Sequence, residues 1–417
     1  MIKERNLNEL PRGWKSYYLE EIIDNLSQGW SPKCYNEPST NINEWAVIKT
    51  TAVQPGYFLD NENKRLPENL SPRTQHELKQ GDLLITRAGP RVRVGICCMV
   101  KRTRPNLMNC DKVYRMRANP KLSIPEYIEL LLNSTKYSRE IELMKTGISD
   151  SGLNLTQKQF LQLKIFLPSI EIQEAIVSKI EELFSELDKG IENLRTAQLQ
   201  LKTYRQSVLK WAFEGKLTNE NVKEGELPMG WAWKKLGDVA KKKSLKALPA
   251  DYPDAKFIGM DCIEPHTLKP FFLYDFKEFK SAGNSFKINQ VLYGRMRPYL
   301  NKVYRAEFDG TCSGEFIILD CCEIFIPDLL KYILHSRGFV RFANSITTGD
   351  RPRISYEEIS DYDIFLAPID EQNNIVQEIE RRLSVADKME ESITQSLQQA
   401  EALRQSILKK AFEGRLL

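Results

Sequence analysis

An internal repeat constrains the fold of this chain more than any other feature of its 417 residues. The segments TYRQSVLKWAFEGKL at 203–217 and ALRQSILKKAFEGRL at 402–416 are identical at ten of fifteen positions. The same offset of 199 residues carries FLPSIEIQEAIV at 166–177 onto FLAPIDEQNNIV at 365–376 without a gap. A repeat at a fixed spacing indicates one structural unit that is used twice.

The two halves also begin alike, with LPRGW at 10–14 and LPMGW at 227–231. These starts are 217 residues apart, so the first module is 18 residues longer than the second. The frame of each module is repeated and its interior is not. We therefore predict one fold kept twice, with a different surface on each copy.

A heptad pattern closes each half and predicts two long helices, the first ending at Gly215. Each helix would extend over ~45 residues, about 70 Å, which is too long to bury its apolar stripe on one small module. We predict that the two helices pair antiparallel, although each could instead pack on its own module or pair with a second chain. The apolar residues that recur every seven positions form the predicted coiled-coil seam: Ile180, Leu187, Leu194, Leu201 and Val208 in the first helix, and Ile379, Ile393 and Ile407 in the second. A second set at the d spacing of the first helix comprises Ile176, Leu183, Ala197, Tyr204 and Trp211.

The predicted fold class is α+β, with two globular modules of mixed helix and strand and two long antiparallel helices that form a coiled coil. A pseudo-twofold axis is expected to relate the two copies. Short strand-like runs such as EWAVIKT and EFIILDC alternate with helical stretches at 125–145 and 327–343. The predicted boundaries are 1–168 for the first module, 169–216 for its helix, 217–368 for the second module and 369–417 for its helix.

Positive charge is concentrated in equivalent segments of the two modules. Residues 81–117 hold nine Lys and Arg against two acids, and residues 287–305 hold five against none. A second candidate loop, rich in glycine and short polar residues, precedes each long helix at 146–155 and 347–355. Arginine can grip phosphates or bind a guanine edge with two hydrogen bonds, so we predict DNA contacts here. The predicted DNA-binding residues are Arg87, Arg91, Arg93, Ser151, Arg295, Arg297, Tyr299, Lys302, Arg351 and Arg353.

Motifs of catalysis are missing from the sequence. The three histidines show no metal-ligand spacing, and there is no HExxH, Walker A, GxGxxG or GxSxG pattern. One enzymatic alternative is a metal-dependent nuclease that uses Asp254, Glu278 and Lys280. The other alternative is a coiled-coil scaffold without affinity for DNA. We predict neither a catalytic residue nor a metal site in this chain.

Two further observations predict the cellular compartment of the protein. No apolar run typical of a secretion signal stands at the start, and no stretch approaches the ~18 apolar residues of a membrane span. The eight cysteines include two adjacent pairs and no CxxC, which favours reduced thiols over disulfides or zinc. We therefore expect a cytoplasmic protein.

These motifs together resemble the specificity (S) subunit of type I restriction–modification systems. The carriers are the two L-P-x-G-W starts, VLYGRMRPYLNKV and TCSGEF in the second half, the segments PSIEIQ and APIDEQ, and the paired RQS-LK-AFEG-L helix ends. The resemblance implies two target recognition domains, each reading one half of a split, asymmetric sequence in double-stranded DNA, and a coiled coil that sets their spacing.

The resemblance also implies partners. Two modification subunits, which are methyltransferases, would dock on the coiled coil, and restriction subunits with translocase and nuclease activity would join them. S-adenosylmethionine, ATP and Mg²⁺ are expected in those partner subunits and no cofactor in this chain. The chain itself would be a non-catalytic subunit without contact to a membrane.

Overall fold

The computed structural model describes residues 13–219, 221–223 and 225–417. The chain divides into two compact units, one made of Met1–Asn193 with Ser396–Leu417 and the other of Leu194–Gln395. Leu10, Pro11 and Arg12 of the first LPRGW motif lie outside the described residues.

The first module is built around an antiparallel sheet of four strands in the order β2-β11-β7-β9. Smaller sheets β10-β3-β6, β12-β13-β8 and β1-β14 surround it. Its strands are β1 (Lys15–Tyr18), β2 (Ile23–Gln28), β3 (Ala46–Ile48), β4 (Val53–Gln54), β5 (Tyr57–Phe58), β6 (Asn63–Arg65), β7 (Leu83–Thr86), β8 (Ala88–Gly89), β9 (Cys97–Met99), β10 (Leu107–Met108), β11 (Val113–Ala118), β12 (Lys145–Thr146), β13 (Leu153–Leu155) and β14 (Lys164–Leu167). Its helices are α1 (Leu19–Ile22), α2 (Pro125–Leu132), α3 (Thr135–Met144) and α4 (Gln157–Leu161), and the long helix α5 (Ile170–Phe213) follows.

The second module repeats this frame. Its four-stranded antiparallel sheet has the order β16-β24-β21-β22, beside β17-β20-β23-β18-β19 and β15-β25. The strands are β15 (Ala232–Lys235), β16 (Ala240–Lys243), β17 (Leu245–Ala247), β18 (Lys256–Ile258), β19 (Tyr274–Asp275), β20 (Gly283–Phe286), β21 (Val291–Gly294), β22 (Val303–Arg305), β23 (Gly310–Cys312), β24 (Phe316–Cys321) and β25 (Asp363–Leu366). The helices are α6 (Leu236–Val239), α7 (Pro327–His335), α8 (Arg337–Ser345), α9 (Tyr356–Ser360) and the long α10 (Ile369–Phe412).

The predicted helical stretches 125–145 and 327–343 are each two helices. The break falls at Ser134 between α2 and α3 and at Ser336 between α7 and α8. Ser336 has extended backbone angles, and its hydroxyl accepts a hydrogen bond from the Phe339 N–H, which starts a new helix.

Each unit completes its core with a segment of both long helices. In the first unit, Ile180 of α5 and Ile407 of α10 join the core, and the ring of Phe412 meets Tyr127 edge-on at 5.3 Å. In the second unit, Val208 of α5 and Ile379 of α10 do the same. Because the start of α5 shares a core with the end of α10, and the end of α5 shares one with the start of α10, the two helices pair antiparallel.

Ion pairs between the helices repeat with the offset of 199 residues. In the first unit Arg404 of α10 binds Asp188 of α5, and its guanidinium lies 4.3 Å from the centre of the Phe184 ring. In the second unit Arg205 of α5 binds Asp387 of α10. Arg205 also lies 2.8 Å from the Glu390 carboxylate. The duplication therefore reaches individual side-chain pairs.

Burial along the seam is uneven. Tyr204 and Trp211, predicted at d positions, are 36% and 39% exposed, so the prediction is wrong for both. Leu209 and Ala212 are buried in their place. An α-helix drifts about 20° per heptad against a strict seven-residue repeat, which turns these two aromatic residues outward by the last turns. Of the predicted seam residues, Ile180, Val208, Ile379, Ile393 and Ile407 are buried, and Leu187, Leu194 and Leu201 are half-buried.

A buried glutamine fixes the start of each long helix. The Gln173 side-chain amide donates to the carbonyls of Leu122 and Pro168 at 2.9 and 3.0 Å, and its oxygen accepts from the Ile124 N–H at 3.2 Å. The equivalent glutamine of α10 is Gln372, which makes the same three bonds. Its partners are the carbonyls of Ile324 and Ala367, both at 2.8 Å, and the Ile326 N–H at 3.0 Å.

A glycine follows each long helix, as predicted for the first one at Gly215. Gly215 and Gly414 follow the two helices with φ of +73° and +71°, a left-handed conformation that costs glycine little. A Cβ on Gly215 would lie 2.2 Å from Cγ of Pro228. Within the part of the chain that the structure describes, no helix is long and apolar enough to cross a membrane.

Candidate nucleic-acid interface

The two candidate loops of the first module are joined by backbone pairing. Strand β8, in the arginine-rich segment, pairs antiparallel with β13, in the glycine-rich loop. The Leu155 N–H donates to the Arg87 carbonyl at 2.7 Å, and the Arg91 N–H to the Asp150 carbonyl at 2.8 Å. Segments about sixty residues apart in sequence thus form one surface.

The second module joins its two loops in the same way. Met296 and Arg353 form an isolated antiparallel bridge. The Arg297 N–H donates to the Pro352 carbonyl at 2.7 Å, and the Ile354 N–H donates to the Arg295 carbonyl at 3.0 Å. The predicted residues Arg295, Arg297 and Arg353 therefore lie together.

Basic residues of the first module are largely engaged within the module. Arg93 donates through Nη2 to the carbonyls of Thr50 and Val53, both at 2.6 Å. Arg91 binds the carboxylates of Glu142 and Asp150, and these bonds raise the pKa of its guanidinium.

Arg87 and Ser151 complete the predicted residues of this module. Arg87 is half-buried, donates to the Asp111 carbonyl at 3.2 Å and lies 5.4 Å from the centre of the Tyr114 ring. Ser151 is exposed, and its hydroxyl lies 2.8 Å from that of Ser149.

In the second module Lys302 makes a contact equivalent to that of Arg93 in the first. Its ammonium donates to the Met260 carbonyl at 2.6 Å. Met260 and Thr50 occupy equivalent places, because each is the second residue after its strand, β18 or β3, and begins a 3₁₀ turn. Burial lowers the pKa of Lys302, and the nearby Asp261 carboxylate partly offsets this shift. In both modules a basic side chain thus holds the turn that follows a central strand.

The remaining predicted residues of the second module differ in their exposure and in whether their side chains are bonded within the module. Arg353 binds the Glu315 carboxylate at 3.0 Å, and that contact raises the pKa of Arg353. Arg351 is exposed, and Tyr299 is 43% exposed. Arg295 and Arg297 are half-buried, and no hydrogen bond from either guanidinium to another described residue is found. These groups can bind an external partner without first breaking an internal bond.

Arg297 sits in an unusual backbone conformation, with φ of +52° and ψ of +67°. Asn301 four residues later is also left-handed, at φ +48°. Such residues cost about 1–3 kcal/mol each and are frequent at functional sites. The segment between them, which carries Tyr299, is a short 3₁₀ helix with a left-handed residue at each end.

A basic feature that the sequence interpretation missed lies on β16 and β17. Lys241, Lys242 and Lys243 are consecutive, Lys246 follows on β17, and all four are exposed. The run KKKSLK was visible in the sequence, but it falls outside the two segments chosen for their charge. We call these four residues the lysine strand.

The residues of the nuclease alternative do not form a metal-binding group in the part of the chain that the structure describes. Asp254, Glu278 and Lys280 are all exposed. In the described ranges no group of three or more His, Cys, Asp or Glu side chains is arranged to hold a metal ion. A cavity of about 350 Å³ nearby is lined by aromatic, small and polar residues, and in it Asp261 accepts a 2.6 Å hydrogen bond from the Tyr274 hydroxyl.

Comparison with known proteins finds a family model that matches the first part of the chain. Residues 11–195 match the family model of the type I restriction modification DNA specificity domain. The chain is 42% identical over 190 residues to the type I restriction enzyme EcoEI specificity subunit of Escherichia coli, covering 46% of this chain and 32% of that subunit. It is 25% identical over 438 residues to the StySPI specificity subunit of Salmonella potsdam, covering 99% of this chain and 91% of that subunit. The resemblance inferred from the sequence is confirmed, although the chain spans about a third of the length of the first relative.

Solved structures show the same fold. A chain from a study of complex assembly in the type I R-M system superposes with a TM-score of 0.75 at 19% identity, covering 98% of this chain and 99% of that one. This match and the packing of α5 with α10 confirm the predicted α+β class with two long paired helices.

Proposed function

We propose that this chain, which carries the type I restriction modification DNA specificity domain, recognises DNA as the specificity subunit of a type I restriction–modification complex. Each module is a target recognition domain for one half of a split sequence in double-stranded DNA. The observation that carries the proposal is the joining of two loops into one basic surface at equivalent places of both modules.

The two surfaces differ in their residues, which predicts an asymmetric target. In the second module the uncommitted guanidiniums of Arg295 and Arg297 are the best candidates for contacts with bases or phosphates. In the first module Arg87 and Arg91 are already bonded within the module, so Ser151 and the backbone of the joined loops supply a larger share of the contacts with DNA. A guanine contacted by two arginine hydrogen bonds contributes about 1–3 kcal/mol of discrimination.

The partners and cofactors of the complex belong to the proposal. The paired helices set the spacing between half-sites and dock two methyltransferase subunits, which bind S-adenosylmethionine. Restriction subunits supply translocation and cleavage with ATP and Mg²⁺. The specificity chain supplies recognition and no catalytic group, and the complex acts on DNA in the cytoplasm.

Substitution of Arg295 tests the modular assignment. Arg295→Ala is expected to relax or abolish recognition of one half-site, because the side chain belongs to one module. The measurement is a map of methylated adenines in DNA from cells that express the chain with its modification subunit. Lys277→Ala, at an exposed side chain elsewhere in the second module, is the control and leaves the map unchanged. Equal weakening of both halves contradicts the assignment.

Two results would replace the proposal with its rivals. Cleavage of DNA by the purified chain with Mg²⁺, lost on Asp254→Asn or Glu278→Gln, supports a nuclease. A complex that shows no DNA affinity, or an affinity that does not weaken with salt, supports a scaffold.

A further inference from the structure

Three of the four residues of the lysine strand lie on the edge strand of the main sheet of the second module, and Lys246 lies on the neighbouring β17. Strand β16 is the first in the order β16-β24-β21-β22, and among the described strands of that sheet it pairs only with β24. Lys241, Lys242 and Lys243 of this strand and Lys246 on β17 place four positive charges within six residues.

Little of this charge is neutralised inside the protein. Lys243 lies 3.7 Å from the Asp320 carboxylate, and both side chains are about half exposed. Lys241 donates to the backbone carbonyl of Gly237, a neutral group. Ion pairs of Lys242 and Lys246 are not found within the described part of the chain. An exposed ion pair is weak, so the lysine strand keeps most of its positive potential.

The lysine strand is continuous with the candidate interface. The Tyr356 hydroxyl donates to the Ala240 carbonyl at 3.0 Å, so the start of α9, which directly follows the second loop, touches the start of β16. Glu357 lies in the field of both Lys242 and Arg295. A hydrogen bond from its own backbone N–H lowers the pKa of Glu357 most, and these two positive charges lower it further. Lys242 and Arg295 therefore act on the same carboxylate.

Protection of a sheet edge is the ordinary role of lysines on such a strand. The first module argues against it here. Its equivalent strand β2 pairs with β11 as β16 pairs with β24, and it is likewise at the end of its sheet. Its sequence is IDNLSQ, with no Lys or Arg and with Asp24. An edge of this frame does not need lysines, so their presence in one copy calls for another cause.

We propose that the lysine strand binds the phosphate backbone of DNA and gives the second module contacts that the first module lacks. This inference rests on the proposed function and deepens it. Phosphate contacts position a protein on the duplex without reading its sequence. The lysine strand should therefore strengthen binding of the whole target and leave the recognised sequence unchanged.

The salt dependence of binding tests the proposal directly. The full chain in complex with its modification subunits is titrated with its duplex target over a range of KCl concentrations. The slope of log K against log salt changes by about 0.9 for each phosphate contact. K241Q/K242Q/K243Q is expected to reduce the slope by about 2–3 and to weaken binding roughly 10- to 100-fold at 0.1 M KCl. The pattern of methylated adenines stays the same.

Two variants make the result specific. K234Q/K269Q/K277Q removes the same charge from three exposed lysines elsewhere in the second module and is expected to leave the slope near that of the unaltered chain. K241R/K242R/K243R keeps the charge and is expected to keep the slope, which separates loss of charge from damage to the strand.

Several outcomes overturn the proposal. A slope that does not change, or that changes equally in the control triple, would show that the lysine strand is a solvated sheet edge without phosphate contacts. Aggregation of the glutamine triple with an unchanged slope in the remaining soluble complex supports edge protection. If the unaltered complex shows no salt-dependent DNA binding, the proposed function itself fails, and that result is distinguishable because it precedes any substitution.

Discussion

Arg297 and Lys302 belong to the same basic segment, but their side chains have different surroundings. The Lys302 ammonium is bound to the Met260 carbonyl at 2.6 Å. The Arg297 guanidinium has no hydrogen-bond partner for its buried Nε among the described residues. The Lys302 side chain is committed to a bond within its module, whereas no such bond of the Arg297 guanidinium is found among the described residues.

This difference predicts opposite effects of matched substitutions. Arg297→Met is expected to weaken DNA binding by tenfold or more with little change in the free energy of unfolding. Lys302→Met is expected to lower the free energy of unfolding by about 1–2 kcal/mol, because a charged hydrogen bond to a partly buried carbonyl is lost. Denaturant unfolding and DNA titration of both variants give the comparison. If Lys302→Met impairs binding without loss of stability, the lysine contacts DNA directly.

Glu129 provides a prediction about pH. Its side chain is 4% exposed and accepts a 2.6 Å hydrogen bond from the Met99 N–H. Burial raises the pKa of Glu129 from 4.5 to about 7. The folded protein thus binds this proton more tightly than the unfolded chain, and the contribution of Glu129 to stability falls as the pH rises from about 4.5 to about 7.

Glu129→Gln removes this titration and keeps an acceptor for the Met99 N–H. The variant is expected to be more stable than the unaltered chain by about 1–3 kcal/mol at pH 8 and to lose that advantage near pH 4.5. Denaturant unfolding at several pH values measures the difference. A difference that does not depend on pH would show that Glu129 does not titrate in this range.

The roles of individual residues were predicted least well from the sequence. Sequence analysis located the basic segments, because charge density is a local property. It could not assign Arg93 or Lys302 to carbonyls of a turn some forty residues away, since those bonds exist only after the sheets form. The pairing of two loops in each module is long-range for the same reason.

At the scale of elements, Gln173 and Gln372 tie each long helix to its module. Gln173→Leu and Gln372→Leu are each expected to lower the free energy of unfolding by about 2–4 kcal/mol, because each leaves one buried carbonyl, one partly buried carbonyl and one N–H without their side-chain partner. Equal effects at both positions are expected from the identical bonding. Two-probe denaturation, with a fluorophore in each unit, measures them. Substitution of the exposed Gln398 by leucine is the control.

Helices are also where the sequence predicted most. Periodicity and the repeat together predicted two long helices and their antiparallel pairing, and Gly215 marked the end of the first. The register of the last turns was not predictable from a seven-residue pattern alone. Leu209 and Ala212 replace Tyr204 and Trp211 in the core because the helix drifts against the seven-residue repeat and by its last turns presents these two residues to the module.

At the scale of the whole molecule, each unit depends on a phenylalanine that lies far away in sequence. Phe412 packs on Tyr127 in the first unit, and its repeat equivalent Phe213 packs on Phe365 at 5.7 Å in the second. The first unit is therefore completed by the far end of the chain.

Paired alanine substitutions test this dependence. Phe412→Ala is expected to destabilise the first unit by about 2–4 kcal/mol, and Phe213→Ala to destabilise the second by a similar amount. Hydrogen exchange shows which unit is destabilised in each variant. Protection should fall in α2 for Phe412→Ala and in β25 for Phe213→Ala. Loss of protection near residues 375–380 in the Phe412 variant would contradict the division.

The division has a consequence for biosynthesis. The second unit is one continuous stretch, Leu194–Gln395, whereas the first needs Ser396–Leu417 as well. Domains usually fold in the order in which they leave the ribosome. Here the module translated first has to wait for residues made about two hundred codons later, while its successor is already complete. A ribosome that stalls before residue 396 would thus carry a nascent chain whose younger half is finished and whose older half is not.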